Sequence, residues 1–147
     1  MIEFFLPMVP PTVTQQEHAI KVIGGKPIVY DPPELKASRA KFMALLGWQA
    51  GQRQQIRDGE PLLPLEGPLR LVTKWCFPIP EGSGRRDGAW KTTKPDTDNL
   101  IKLFKDCMTR TGWWMDDAQV CSEVTEKFWA VKPGIWVCVE ELDREGR

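Results

Sequence analysis

Residues 94–112, KPDTDNLIKLFKDCMTRTG, change their pattern part-way along. The lead-in after Pro95 is extended, so Asp96 and Asp98, at i and i+2, point to one side. From Leu100 onward, Leu100, Leu103, Phe104, Cys107 and Met108 recur at i, i+3, i+4, i+7 and i+8, the stripe of a helix laid on a core. Gly112 stands where a left-handed cap ends such a helix. A helix start needs one capping side chain, so this stretch carries a surplus carboxylate.

Working outward, LRLVTKWCF (69–77) sets Leu69, Leu71, Trp75 and Phe77 on one strand face. Between it and the helix, PIPEGSGRRDGAWKTTKP (78–95) is turn-rich and basic and reads as a mobile loop. After the helix, QVCSEVTEKFWAV (119–131) and GIWVCVEEL (134–142) read as a closing hairpin joined by Lys132-Pro133-Gly134, with Val120, Val124 and Phe128 on one face.

Toward the N-terminus, IEFFL (2–6) is a strand that stops at Pro7 and the Pro10-Pro11 pair. AIKVIGGKPIVY (19–30) is a hairpin turning on Gly24-Gly25. From Pro33 to about Ala50 a helix carries Leu35, Phe42, Leu45, Leu46 and Trp48 mostly on one stripe, with Gly51 beyond, and 52–66 is a polar loop. The expected fold class is α+β, a small mixed β-sheet with two main helices packed on it, with residues 1–147 as one domain.

Seven tryptophans and six phenylalanines in a chain that is 41% hydrophobic argue for a packed globule and against disorder. Cys76, Cys107, Cys121 and Cys138 lack any C-x-x-C spacing, which favours reduced, buried, structural thiols in a cytoplasmic protein over a zinc site or disulfide framework. No segment approaches the roughly 20 apolar residues of a membrane span. The net charge is zero, yet residues 83–111 hold seven Lys or Arg against four Asp, while 112–147 hold four against eight acids. The basic excess surrounds the quoted stretch and suits a phosphate-bearing partner.

A second acidic pair, Asp116-Asp117, follows Trp113-Trp114 and precedes a strand. If the two pairs converge, their mutual repulsion is tolerable only around a shared cation, and hard carboxylate oxygens suit Mg²⁺, with Mn²⁺ as the alternative. Lys102, four residues after Asp98, can reach the same space and stabilise charge on a scissile phosphate. Each feature also has a plainer reading: Asp98 as an N-cap, Asp96 as a first-turn acid, Asp98–Lys102 as a surface ion pair, and Asp116-Asp117 as a polar turn. Trp113 and Trp114 read as core before base-stacking platforms, and Arg85, Arg86, Lys91 and Lys94 as either phosphate clamps or a solvated loop. His18, the only histidine, supports no Ser-His-Asp set. A calcium EF-hand is excluded, because Ile101 and Cys107 stand where that loop needs glycine and glutamate.

The combination of KPDTDNLIK, then WWMDDAQV, then two closing strands resembles the RusA family of Holliday junction resolvases, in its phage or prophage branch. The resemblance is strongest over 94–120 and weaker over 68–141. It implies a RusA-like fold and a homodimeric, magnesium-dependent endodeoxyribonuclease that resolves four-way junctions by paired symmetric nicks, in recombination and repair. By position, Asp96, Asp98 and Asp117 match the family's essential acids and metal ligands, Lys102 its essential lysine, and Asp116 a neighbouring acid. The implied partner is branched DNA in a bacterial cytoplasm, with no membrane and no small-molecule cofactor. Extra length near 18–31 and 81–93 leaves open a less selective branched-DNA nuclease or a non-catalytic junction-binding module.

Overall fold

The computed structural model describes residues 1–13, 19–30, 32–54, 56–57 and 60–146. Its elements are β1 (Ile2–Leu6), β2 (Ala19–Ile23), β3 (Lys26–Tyr30), α1 (Pro33–Gly51), β4 (Ile56–Arg57), β5 (Glu60–Pro61), β6 (Leu69–Pro78), α2 (Thr97–Arg110), β7 (Val120–Ala130) and β8 (Gly134–Glu141). A single 3-10 turn, Asp117–Gln119, leads into β7. The architecture is α+β, with the main sheet ordered β1-β8-β6-β7 and two small hairpins, β2-β3 and β4-β5. His18 lies outside the described residues.

Alternation builds β6 as expected: Leu69, Leu71, Trp75 and Phe77 are buried, and so is Thr73, whose hydroxyl accepts from Trp75 Nε1 at 2.9 Å. Against this face lie α1 and α2. Phe42, Trp75 and Phe104, one from each element, meet edge to face with centroids 5.3–5.9 Å apart. Such pairs contribute about 0.5–1.5 kcal/mol each beyond area burial. The α1 stripe departs from expectation at one place, since Trp48 is exposed and Ala50 is buried instead. The β2-β3 turn forms on Gly24 (φ 58°) and Gly25 (φ 77°), the positive pair that a primed turn requires.

Two expectations about the closing strands are corrected. First, β7 and β8 are not a hairpin. They flank β6, with Val72 opposite Val124 in the parallel pair and opposite Cys138 in the antiparallel pair. The β6-α2-β7 crossover is long enough to return the chain parallel, and residues 131–133 then step across the end of β6. Second, Val120, Val124 and Phe128 do not share one face: the register shift after Leu69 leaves Val120 packed against the core, while Val124 and Phe128 face away from it. Leu71, Thr73, Trp75 and Phe77 pair with Glu123, Thr125, Lys127 and Trp129, so the helix side of β7 is mostly polar. Val124 is exposed on the other face, and Phe128 stacks there on Trp90.

The second half of the 78–95 loop, expected to be irregular, is tied to β7 by hydrogen bonds. Gly88 N donates to Trp129 O (2.7 Å), Trp129 N to Ala89 O (2.8 Å) and Lys91 N to Lys127 O (3.0 Å), which extends the sheet past β7. Asp87 accepts from Val131 N at 2.9 Å. At the start of β8, Gly134 has no room for a side chain: a Cβ there would lie 2.6 Å from Leu6 O. All four cysteines are free thiols; Cys107 and Cys138 are buried as expected, whereas Cys76 is half-buried and Cys121 exposed, against the expectation. Among the described residues no helix is long and apolar enough to cross a membrane.

Candidate nucleic-acid cleavage site

The acid-bearing start of α2 does not use its acids to hold the helix. Asp96, not Asp98, is the N-cap, in extended conformation (φ −71°, ψ 149°), and its side chain makes no capping bond. Asp98 lies in the first turn, where the helix dipole favours a carboxylate. Among the described residues neither Asp98 nor Lys102 forms an ion pair, so the surface-pair reading is not realised.

Along α2 and the adjoining edge of β7 runs a groove of about 410 Å³, lined by Asp98, Asn99, Ile101, Lys102, Lys105, Asp117 and Glu123. Asp98, Lys102 and Lys105 share one helical face at i, i+4 and i+7. Lys105 Nζ pairs with Glu123 Oε1 at 3.1 Å, with both side chains partly buried. Glu123 carries no motif in QVCSEVTEKFWAV, and only the pairing of β7 with β6 places it beside α2.

At the far end, Asp117 is held by α2 and by the segment before it. Asp117 Oδ1 accepts from Thr109 Oγ1 and, at 3.2 Å, from Trp114 Nε1. Trp114 Nε1 also donates to Thr109 Oγ1 at 2.7 Å. Trp113 and Trp114 are both buried, as core residues, and Trp113 Nε1 donates to Leu46 O at 3.2 Å. Thus Trp114 is core and also orients a carboxylate, a role its apolar context concealed.

The expected gathering of acids is only partly present. Asp117 is bonded at Thr109, eleven residues after Asp98 on the same helix, which is about 16 Å of helical rise. Asp98 and Asp117 therefore mark opposite ends of the groove, and Mg²⁺ with ligands at about 2.0–2.1 Å does not span them. Among the described residues no three acids, histidines or cysteines gather as a metal-holding group. Asp96 lies outside the groove lining, and Asp116 caps the 3-10 turn, its Oδ1 accepting from Ala118 N at 2.8 Å.

Of the four basic candidates, Arg85, Arg86 and Lys94 are exposed and Lys91 is buried. The Lys91 ammonium lies over the rings of Trp129 (4.4 Å) and Phe77 (5.1 Å) and donates to Thr93 Oγ1. Burial, then the neighbouring Lys127 and Arg85 charges, hold it below the ordinary lysine value. Lys127, absent from the sequence-derived set, donates to Thr93 O (2.7 Å) and Pro95 O (2.8 Å) and so anchors the approach to Asp96.

Comparison with known proteins adds three matches. The family described as "Endodeoxyribonuclease RusA" matches residues 8–140. The chain is 31% identical over 120 residues to the crossover junction endodeoxyribonuclease rusA of Lactococcus phage r1t, covering 80% of this chain and 79% of that one. It is 28% identical over 127 residues to the uncharacterized protein YqaN of Bacillus subtilis (strain 168), covering 80% of this chain and 82% of that one.

Proposed function

We propose a function from one premise: the chain belongs to the RusA endodeoxyribonuclease family. It is a nuclease of that family. Its substrate is the four-way DNA junction, which it opens by paired symmetric nicks as a homodimer, in recombination and repair within the cytoplasm. A two-fold dimer presents two copies of the groove to opposing strands, which is the geometric reason for paired cuts.

The observation that carries this reading is that Asp96 and Asp98 open α2 without capping it or pairing with Lys102. Carboxylates without a capping bond or an ion pair are available for chemistry. Asp98 and Lys102 face the groove together. Lys102 places a cation where negative charge develops on the phosphate, and Lys105 adds another once it leaves Glu123. Asp117, fixed by Thr109 and Trp114, supplies a rigid carboxylate at the far end.

The donors at the start of α2 fit Mg²⁺, or Mn²⁺ in its place, because this cation commonly takes one or two carboxylates and completes its shell with water and substrate phosphate. Asp96 and Asp98 would hold it. Bound there, the ion would supply Lewis acidity and a more acidic water. Asp117, held at the far end by Thr109 and Trp114, would face the same bound strand further along the groove.

The separation of those ends favours a second reading, a junction-binding module that does not cut. Incubating labelled four-way, three-way and linear duplex DNA with the protein, with and without Mg²⁺, decides between them. Mg²⁺-dependent symmetric nicking of the four-way substrate alone supports resolution. Equal cutting of all branched forms supports a less selective nuclease, and binding without nicks supports the module.

A further inference from the structure

The loop and β7 bring three cations together around one indole, next to the start of α2. Arg85 Cζ lies 4.8 Å from the centre of the Trp129 ring and Lys91 Nζ 4.4 Å from it. Lys127 lies two residues away on the same strand face, its backbone bonded to that of Lys91. Among the described residues none of the three forms an ion pair. The nearest acid in the loop sequence, Asp87, has a carboxylate oxygen bonded to Val131 N. Like charges gathered without a counter-ion repel, and burial of Lys91 in a less polar setting sharpens the repulsion.

A second observation points the same way. Trp129 is 7% exposed, and its Nε1 is buried with no hydrogen-bond partner among the described residues. A buried donor left unpaired loses its bond to water without a replacement. An anion with several acceptor oxygens would answer both deficits, by neutralising the cations and accepting from the indole. The exposed Arg85 covers the ring face and can swing aside to admit it.

We propose that Arg85, Lys91, Lys127 and Trp129 Nε1 form a seat for one phosphate of the DNA backbone, beside the acids of α2. The seat rests on the reading of the chain as a DNA-cutting enzyme and adds where the strand is gripped. Lys127 links grip to chemistry, since the same ammonium holds the carbonyls of Thr93 and Pro95 immediately before Asp96. A phosphate drawn to Lys127 is thereby delivered to the start of α2. Arg86 and Lys94 remain exposed and outside the seat.

The test is junction binding without divalent cation, read by fluorescence anisotropy across a salt series. Arg85→Gln and Lys127→Gln are each expected to weaken binding about tenfold at low salt and to lower the log–log salt slope by about one. The exposed Lys36→Gln on α1 is expected to leave both unchanged. Thermal melts confirm that each variant is folded, so a purely structural Lys127 would lower the melting temperature and leave the slope alone. Folded Arg85→Gln and Lys127→Gln proteins with the wild-type slope would overturn the seat. If the wild type grips linear duplex as tightly as a junction while the variants still lose slope, the seat stands and junction selectivity falls. If the wild type binds no DNA, both fall.

Discussion

Thr109→Val tests how Asp117 is held. The Thr109 hydroxyl has one proton and two acceptors in reach, Asp117 Oδ1 and, at 3.2 Å, Lys105 O. The carboxylate is charged and takes the proton in preference. Thr109 Oγ1 itself accepts from Trp114 Nε1 at 2.7 Å, so Thr109 joins helix, indole and acid. Valine keeps the shape and removes all of this, leaving the buried indole with Asp117 Oδ1 at 3.2 Å alone.

A hydrogen bond to a charged group contributes about 1.5–3 kcal/mol, and Thr109 is only half-buried, so a loss near 1.5 kcal/mol is expected. For a chain of this size that lowers the melting temperature by roughly 3–6 °C. Releasing an orienting partner of a site carboxylate typically costs 10–100-fold, so junction cleavage should fall by about that factor. Thr109→Ser restores the hydroxyl and should recover most of both. Differential scanning fluorimetry and a single-turnover cleavage assay give the two numbers. A Thr109→Val protein that cuts at the wild-type rate, or a serine variant as impaired as valine, would refute the assignment of Thr109 to holding Asp117.

Three further predictions follow from named contacts. Asp96→Ala should cost less than about 0.5 kcal/mol, below the typical 1 kcal/mol for a capping side chain, because Asp96 makes no cap bond; urea unfolding measures this, and cleavage should be lost while stability is kept. The Lys105–Glu123 pair is partly exposed, so a double-mutant cycle of Lys105→Met and Glu123→Gln should show coupling of about 1 kcal/mol or less, shrinking with salt. Burial, with Asp106 adding, pushes the Cys107 thiol from 9.0 up to about 11. The folded state therefore binds the extra proton: stability is full below pH 9 and declines from there through about 11, and Cys107→Ala should flatten that alkaline decline in urea titrations.

The parts of the fold that were legible are those whose signal is local. The α2 stripe, the alternation of β6 and the Gly24-Gly25 turn each depend on neighbours within a few residues. Strand order does not: nothing in 119–142 states that β6 lies between β7 and β8, and a short Lys-Pro-Gly link reads as a hairpin. Alternation along β7 likewise does not say which of its faces lies beside α2, so Glu123 and Lys127 carried no signal. Residue type and spacing singled out Asp96, Asp98, Lys102 and Asp117. Their separation was not legible, since it depends on α2 running alongside β7 and on Thr109 meeting Asp117 near the helix C-terminus. Trp48 shows the same limit, as an aromatic near the apolar stripe of α1 that packing leaves exposed.

If Asp98 and Asp117, at the two ends of one groove, serve a single cleavage event, removing either should stop it. The most direct measurement is the Mg²⁺-dependent nicking rate of a four-way junction by Asp98→Asn, Asp117→Asn and the double variant, each confirmed folded by melting. Either substitution alone is expected to remove at least about a thousandfold of the rate, and the double to lose no more, as for residues acting as a unit. Wild-type nicking by either single variant, or losses that multiply in the double, would contradict that joint role.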